Sequence, residues 1–180
     1  MDPAKVITGV VTLVNANIWE PISIKGNPPI YTATIIIPKG ETKTLDGIRT
    51  AIKNANIEGS IKFKGMYFGT KAKKMPLLDG DQNPLATAFA DCFVLNASSL
   101  VAPQIVDYRV CPISDRASVG SGCKVRVSLT FYPYMNGGEK GIGCMLGNIQ
   151  KALVAEQYDP IPQLHFDTFL SEFLHILLKN

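Results

Sequence analysis

The sequence predicts a mainly β fold with one internal helix, and three observations carry that prediction. Residues 123–134 alternate in character, with Cys123, Val125, Val127, Leu129 and Phe131 on one side and Lys124, Arg126, Ser128, Thr130, Tyr132 and Tyr134 on the other. A period of two is the mark of a half-buried strand. Shorter stretches rich in Val, Ile and Thr are punctuated by Pro and Gly, as strands joined by turns are. Helical phase is confined to two stretches, 44–56 and 167–179, of which the second lies at the chain's end.

Taken in order, residues 5–17 read as a strand with partial alternation, and residues 30–37 (IYTATIII) as a second, closed by Pro38 and Gly40. A helix over 44–56 puts Leu45, Ile48, Ile52 and Ala55 on one side. Thr42 or Thr44 is available to cap it, and Gly59 lies just beyond its end, while Gly47 weakens it. Residues 91–97 form a short apolar strand and 104–110 a weaker one. After the strand over 123–134, Asn136-Gly137-Gly138 signals a hairpin, and 141–147 is the return strand. Residues 155–163, with Pro160 and Pro162, read as a linker to an amphipathic helix over 167–179. Asp167 suits its N-cap, and His175 and Lys179 sit at the favourable end of its dipole.

Five or six strands, one internal helix and long loops add up to a small closed or partly closed barrel of the OB type. A β-sandwich is the alternative. The barrel is expected over residues 1–155, with a linker and C-terminal helical tail over 156–180. At 180 residues, 46% hydrophobic and 18% charged, the chain has the makings of one globular domain.

Charge is unevenly distributed. Residues 1–151 hold 17 Lys and Arg against 11 Asp and Glu, while residues 152–180 hold 1 against 4. A basic body with an acidic end points to a polyanionic partner. The first residues, MDPAKVITGVV, lack the charged-then-apolar pattern of a signal peptide. No apolar run approaches the roughly 20 residues that span a bilayer. A soluble intracellular protein with no membrane association is therefore expected. Its four cysteines have no CxxC pair and are expected to be small buried hydrophobes.

Residues 61–75 (IKFKGMYFGTKAKKM) interleave Lys62, Lys64, Lys71, Lys73 and Lys74 with Phe63, Tyr67 and Phe68, and contain no acid. Ammonium groups suit phosphates, and flat rings suit unpaired bases. The plain alternative is a solvated loop. The polar side of 123–134 repeats the same chemistry with Lys124, Arg126, Tyr132 and Tyr134. Together they make one candidate groove, in which the seven cations meet phosphates and Tyr67, Phe68, Tyr132 and Tyr134 stack bases. Phe63, alternating with Lys62 and Lys64, can instead point inward. Trp19 is read as a core plug before a base-stacking ring.

Other chemistry finds little footing. Asp79-Gly80-Asp81-Gln82-Asn83 opens like a calcium loop, but Pro84 and Ala90 stand where Gly and Glu are needed, so it reads as a turn. Zinc-ligand spacing and phosphate-loop motifs are missing, and no cofactor is called for. A catalytic set would have to draw on His165 or His175 in the terminal segment. Asp107 and Asp115, flanking Arg109 and Arg116, read as structural ion pairs. The expectation is a binding protein, not an enzyme.

Four segments carry a family likeness: residues 15–21 (NANIWEP); 31–39 running into 41–45; 77–84 with 91–98; and 106–151. The last includes Pro112-Ile113-Ser114-Asp115-Arg116, Tyr132-Pro133-Tyr134, Gly141-Ile142-Gly143 and residues 146–151 (LGNIQK). In these the chain resembles the bacteriophage single-stranded DNA-binding proteins with an OB-fold. The resemblance implies a sequence-nonspecific protein that coats single strands during phage DNA replication or recombination, in the cytoplasm of the infected bacterial host. It also implies a flexible acidic tail, from which the apolar ending FDTFLSEFLHILLKN departs. Two other readings stay open. One is a structural or adaptor protein that self-associates or captures a replication partner through residues 164–178. The other is a binder of single-stranded RNA, which uses the same stacking and phosphate contacts.

Overall fold

The computed structural model describes residues 2–23, 28–63, 75–82, 89–136 and 139–153. Its strands are β1 (Lys5–Ile7), β2 (Val11–Ile22), β3 (Ile30–Pro38), β4 (Leu77–Asp79), β5 (Cys92–Ser99), β6 (Ile105–Val106), β7 (Lys124–Asn136) and β8 (Glu139–Lys151), with a helix α1 (Thr42–Lys62) between β3 and β4. The strand expected over 5–17 is thus two strands, and the expected return strand runs longer at both ends.

All eight strands belong to one sheet, ordered β1-β7-β2-β3-β5-β8-β6, with β4 on β5. Because β7 also pairs with β8, the path β7-β2-β3-β5-β8 closes on itself. The junction between β5 and β8 is parallel, through Ser98 and Met145, while β2–β3, β3–β5, β2–β7 and β7–β8 are antiparallel. This five-stranded ring is an OB-type barrel, as the sequence predicts.

The period of two explains the core. Val125, Val127, Leu129 and Phe131 of β7 are buried, as are Ile142, Cys144, Leu146 and Ile149 of β8. They meet Val11, Leu13, Ile35, Ile37 and Leu95 from the other ring strands. Helix α1 adds Leu45, Ile48, Ala51, Ile52 and Ala55 to the same cluster. A smaller cluster on the other side of the sheet joins Val14, Ile36, Val94 and Phe89.

The helix is longer than the hydrophobic phase indicates. It passes through Gly59, which is buried inside it, and ends at Lys62. Neither threonine caps it; Glu41 is the N-cap residue and makes no side-chain cap bond. Thr44 instead accepts a hydrogen bond from the Gly9 backbone N–H at 2.8 Å, tying the helix to the β1–β2 turn. Trp19 plugs the barrel wall as expected: it packs on the main core, and its Nε1–H donates to the Val119 carbonyl at 2.8 Å. Phe63 also packs against that core.

Two readings need correction. Cys111 is exposed, whereas Cys144 is buried and Cys92 and Cys123 are half-buried. Asp107 and Asp115 do not pair with the flanking arginines. Asp107 Oδ1 accepts from the backbone of Arg109 and Cys111, Asp115 Oδ1 accepts from Ala117 N–H, and Arg116 pairs with Glu20. Short acidic side chains next to tight turns satisfy local backbone donors more readily than they reach a neighbouring guanidinium. The helix expected over 167–179 lies outside the described residues.

Candidate nucleic-acid interface

The polar side of β7 faces out of the barrel: Arg126 and Tyr132 are exposed, and Ser128, Thr130 and Tyr134 are half-buried. Residues paired across strands share a side, so the register extends this face in both directions. On β8, Gly141 stands opposite Tyr134, Gly143 opposite Tyr132, Met145 opposite Thr130 and Gln150 opposite Arg126. On β1, Lys5 stands opposite Thr130 and Ile7 opposite Ser128. The face therefore gathers cations, two phenols and exposed apolar groups, with no acid among these residues.

The glycines decide how the phenols sit. A Cβ built on Gly143 would lie 2.4 Å from Tyr132 Cζ, and one on Gly141 would lie 2.5 Å from the Tyr134 hydroxyl oxygen. Each ring thus lies across the backbone of the opposite strand, in space that any other residue would fill. One ring face rests on the sheet, as aromatics do over cross-strand glycines. Tyr132 remains 42% exposed, which leaves surface for a planar ligand. Burial against β8 pushes its phenol above the ordinary value of 10.0, with smaller contributions from Cys144 and Tyr134. The phenol is therefore uncharged at neutral pH.

A bulge shapes the face midway. Register shifts between Val127 and Leu129, and the Ser128 hydroxyl fills the gap by accepting from Asn148 N–H at 2.8 Å. Such an extra residue bends the strand and increases its twist.

Cation positions vary in their freedom. Arg126 is exposed and forms no ion pair among the described residues. Lys124 is half-buried, and its Nζ donates to Thr12 Oγ1 at 2.9 Å across the β2–β7 seam. Lys62 ends α1, on a different element, with its Nζ 5.7 Å from the Phe63 ring centroid. Lys64, Tyr67, Phe68, Lys71, Lys73 and Lys74 lie outside the described residues. Of the sequence-predicted site, the structure brings Lys124, Arg126, Tyr132 and Tyr134 onto one strand face. Sequence reasoning missed Lys5, which only the β1–β7 pairing places there, and the supporting role of Gly141 and Gly143.

Within the calcium-like stretch, β4 ends at Asp79 and leads into a short 3-10 helix over Gly80–Gln82, while Asn83 and Pro84 lie outside the described residues. Lys39 Nζ lies 2.8 Å from Asp79 Oδ1 and 2.5 Å from Asp81 Oδ2. The carboxylates are held by an ammonium group. No helix of the described residues is long and apolar enough to cross a membrane.

Residues 4–158 match the family model described as Enterobacter phage Enc34, ssDNA-binding protein. A protein designated p50 from Acyrthosiphon pisum secondary endosymbiont phage 1 is 28% identical over 146 residues, which is 78% of each chain. The solved structure of the single-stranded DNA-binding protein from bacteriophage Enc34 in complex with ssDNA matches with a TM-score of 0.74 at 17% identity. That match covers 86% of this chain and 89% of the other. The structure of gp2.5, a single-stranded DNA-binding protein encoded by bacteriophage T7, matches with a TM-score of 0.62 at 14% identity, over 89% of this chain and 97% of the other. Likeness at these identities establishes a shared fold.

Proposed function

The chain belongs to the bacteriophage ssDNA-binding family of Enterobacter phage Enc34, and on that premise we propose that it binds single-stranded DNA without regard to sequence. It coats strands exposed during phage replication or recombination, in the host cytoplasm. It acts by holding the strand and does no chemistry on it. One observation carries the reading: Tyr132 and Tyr134 rest on glycines, on a sheet face that also bears Lys5 and Arg126. Rings held on one side by backbone stack a base of any identity on the other. The neighbouring cations meet phosphates, whose charge is independent of sequence.

The test is an equilibrium titration of labelled oligothymidylate, with the Tyr132→Ala and Tyr134→Ala variants alongside. Each substitution should weaken binding by about 1–3 kcal/mol, to a similar extent for thymidine, adenine and cytosine oligomers. A loss confined to one base would mean sequence readout and would overturn the proposal, as would equal affinity for duplex and single strand. Competition against a matched RNA oligonucleotide separates a DNA binder from an RNA binder.

A further inference from the structure

One exposed feature lies outside that strand face. After β6 the chain makes a tight turn over residues 107–111. Asp107 N–H donates to the Cys111 carbonyl at 2.9 Å, and Val110 N–H donates to the Asp107 carbonyl at 3.0 Å. Asp107 Oδ1 also accepts from Arg109 N–H at 2.8 Å and Cys111 N–H at 2.9 Å. This bonding holds Val110 at φ 67°, a conformation that a β-branched residue rarely adopts. Such a backbone persists only where its surroundings over-determine it.

The turn presents Tyr108, Arg109 and Val110 to solvent. Arg109 Cζ sits 5.1 Å from the Tyr108 ring centroid, so a planar cation and a ring are already paired. Among the described residues, Arg109 has no carboxylate partner.

The turn is fixed to the tyrosine-bearing hairpin. Gln150 Nε2 donates to the carbonyls of Asp107 and Tyr108, both at 3.3 Å. Gln150 stands opposite Arg126 on one side and Val106 on the other. Arg126 and the start of the turn are therefore about two strand spacings apart, roughly 10 Å. Tyr134 lies eight residues along β7 from Arg126, roughly 26 Å. Cation and ring thus recur beyond the far end of the same face.

We propose that the 107–111 turn is a second contact for the single strand, stacking a base on Tyr108 and holding a phosphate with Arg109 where the strand passes Arg126. This rests on the single-strand-binding reading and extends its track across β8 to the turn after β6. The tyrosine face holds a short strand, and a longer one reaches the turn.

Labelled oligothymidylates of about 4 and about 16 nucleotides, the limits of OB-fold site size, test this. The double variant Tyr108→Ala/Arg109→Gln should bind the short oligomer like the parent and the long one about tenfold more weakly. Both side chains are exposed, so a melting curve matching the parent should verify the fold. With Arg109→Gln alone, the slope of log affinity against log salt should fall by about 0.7 for the long oligomer. Parent-like affinity at both lengths, equal losses at both, or an unchanged slope would each overturn the second contact. If the parent protein binds neither oligomer, it is the single-strand reading that fails.

Discussion

Gly143 and Tyr132 divide one task. The ring has a defined pose because the backbone beneath it carries no side chain. In Gly143→Ala the new methyl meets the far end of a side chain that can swing away, so stability should change little. The stacking pose is lost, however, and affinity for oligothymidylate should fall about as far as in Tyr132→Ala, roughly 1–3 kcal/mol. Parallel thermal melts and titrations would check both halves of this expectation. The Lys39 cluster predicts a pH effect of known sign. The hydrogen bond from Lys39, with a second from Asp91 N–H, holds the Asp81 carboxyl below its ordinary 3.8. A depressed folded value stabilises the protein above the unfolded value and loses that effect as pH falls through the folded one. Thermal melts below about pH 4 should therefore show a shallower loss of stability in Lys39→Met than in the parent.

At the scale of elements, the reliable signals were those repeated along one strand. The alternation of β7 marks its two sides correctly, and at the expected hairpin β7 ends at Asn136 and β8 begins at Glu139. Weak or split patterns misled. Gly59 reads as a helix stop, yet α1 continues through it because Ala51, Ala55 and Gly59 follow one another down its buried side. Small residues at that spacing let a helix backbone come close to its neighbour. Ala55 is fully buried, so Ala55→Leu should overpack the contact and destabilise by about 1–3 kcal/mol, read as a lower urea midpoint. The candidate site is only partly legible for a related reason. Tyr132 and Tyr134 announce themselves by alternation, whereas Lys5 and the glycines matter through pairing register. A strand's own sequence does not state which strand will lie beside it.

For the whole molecule, a net charge of +3 says little, and the arrangement of charge decides what binds. If about five phosphates are neutralised, affinity for single strands should drop roughly a hundredfold between 50 and 200 mM salt. Titrations at the two concentrations measure this, and salt-insensitive binding would contradict a cationic face. The β5–β8 junction, which makes the sheet a barrel, also had no signature in the sequence. It is a parallel contact at Ser98 and Met145, and its existence follows from all the other pairings together.

The same ring has a kinetic consequence. Its seams join distant parts of the chain: Lys124 bonds Thr12 across 112 positions, and Val127 bonds Thr8 across 119. The β7–β8 pair, by contrast, is local. Isolated hairpins form in roughly 1–10 μs, whereas folds dominated by distant pairings take milliseconds to seconds. Stopped-flow refolding should accordingly show a slow principal phase that is retarded by Val125→Ala, at the β2–β7 seam, more than by substitutions near the hairpin tip. During synthesis the ring must stay unsealed until β8 has emerged as far as Met145.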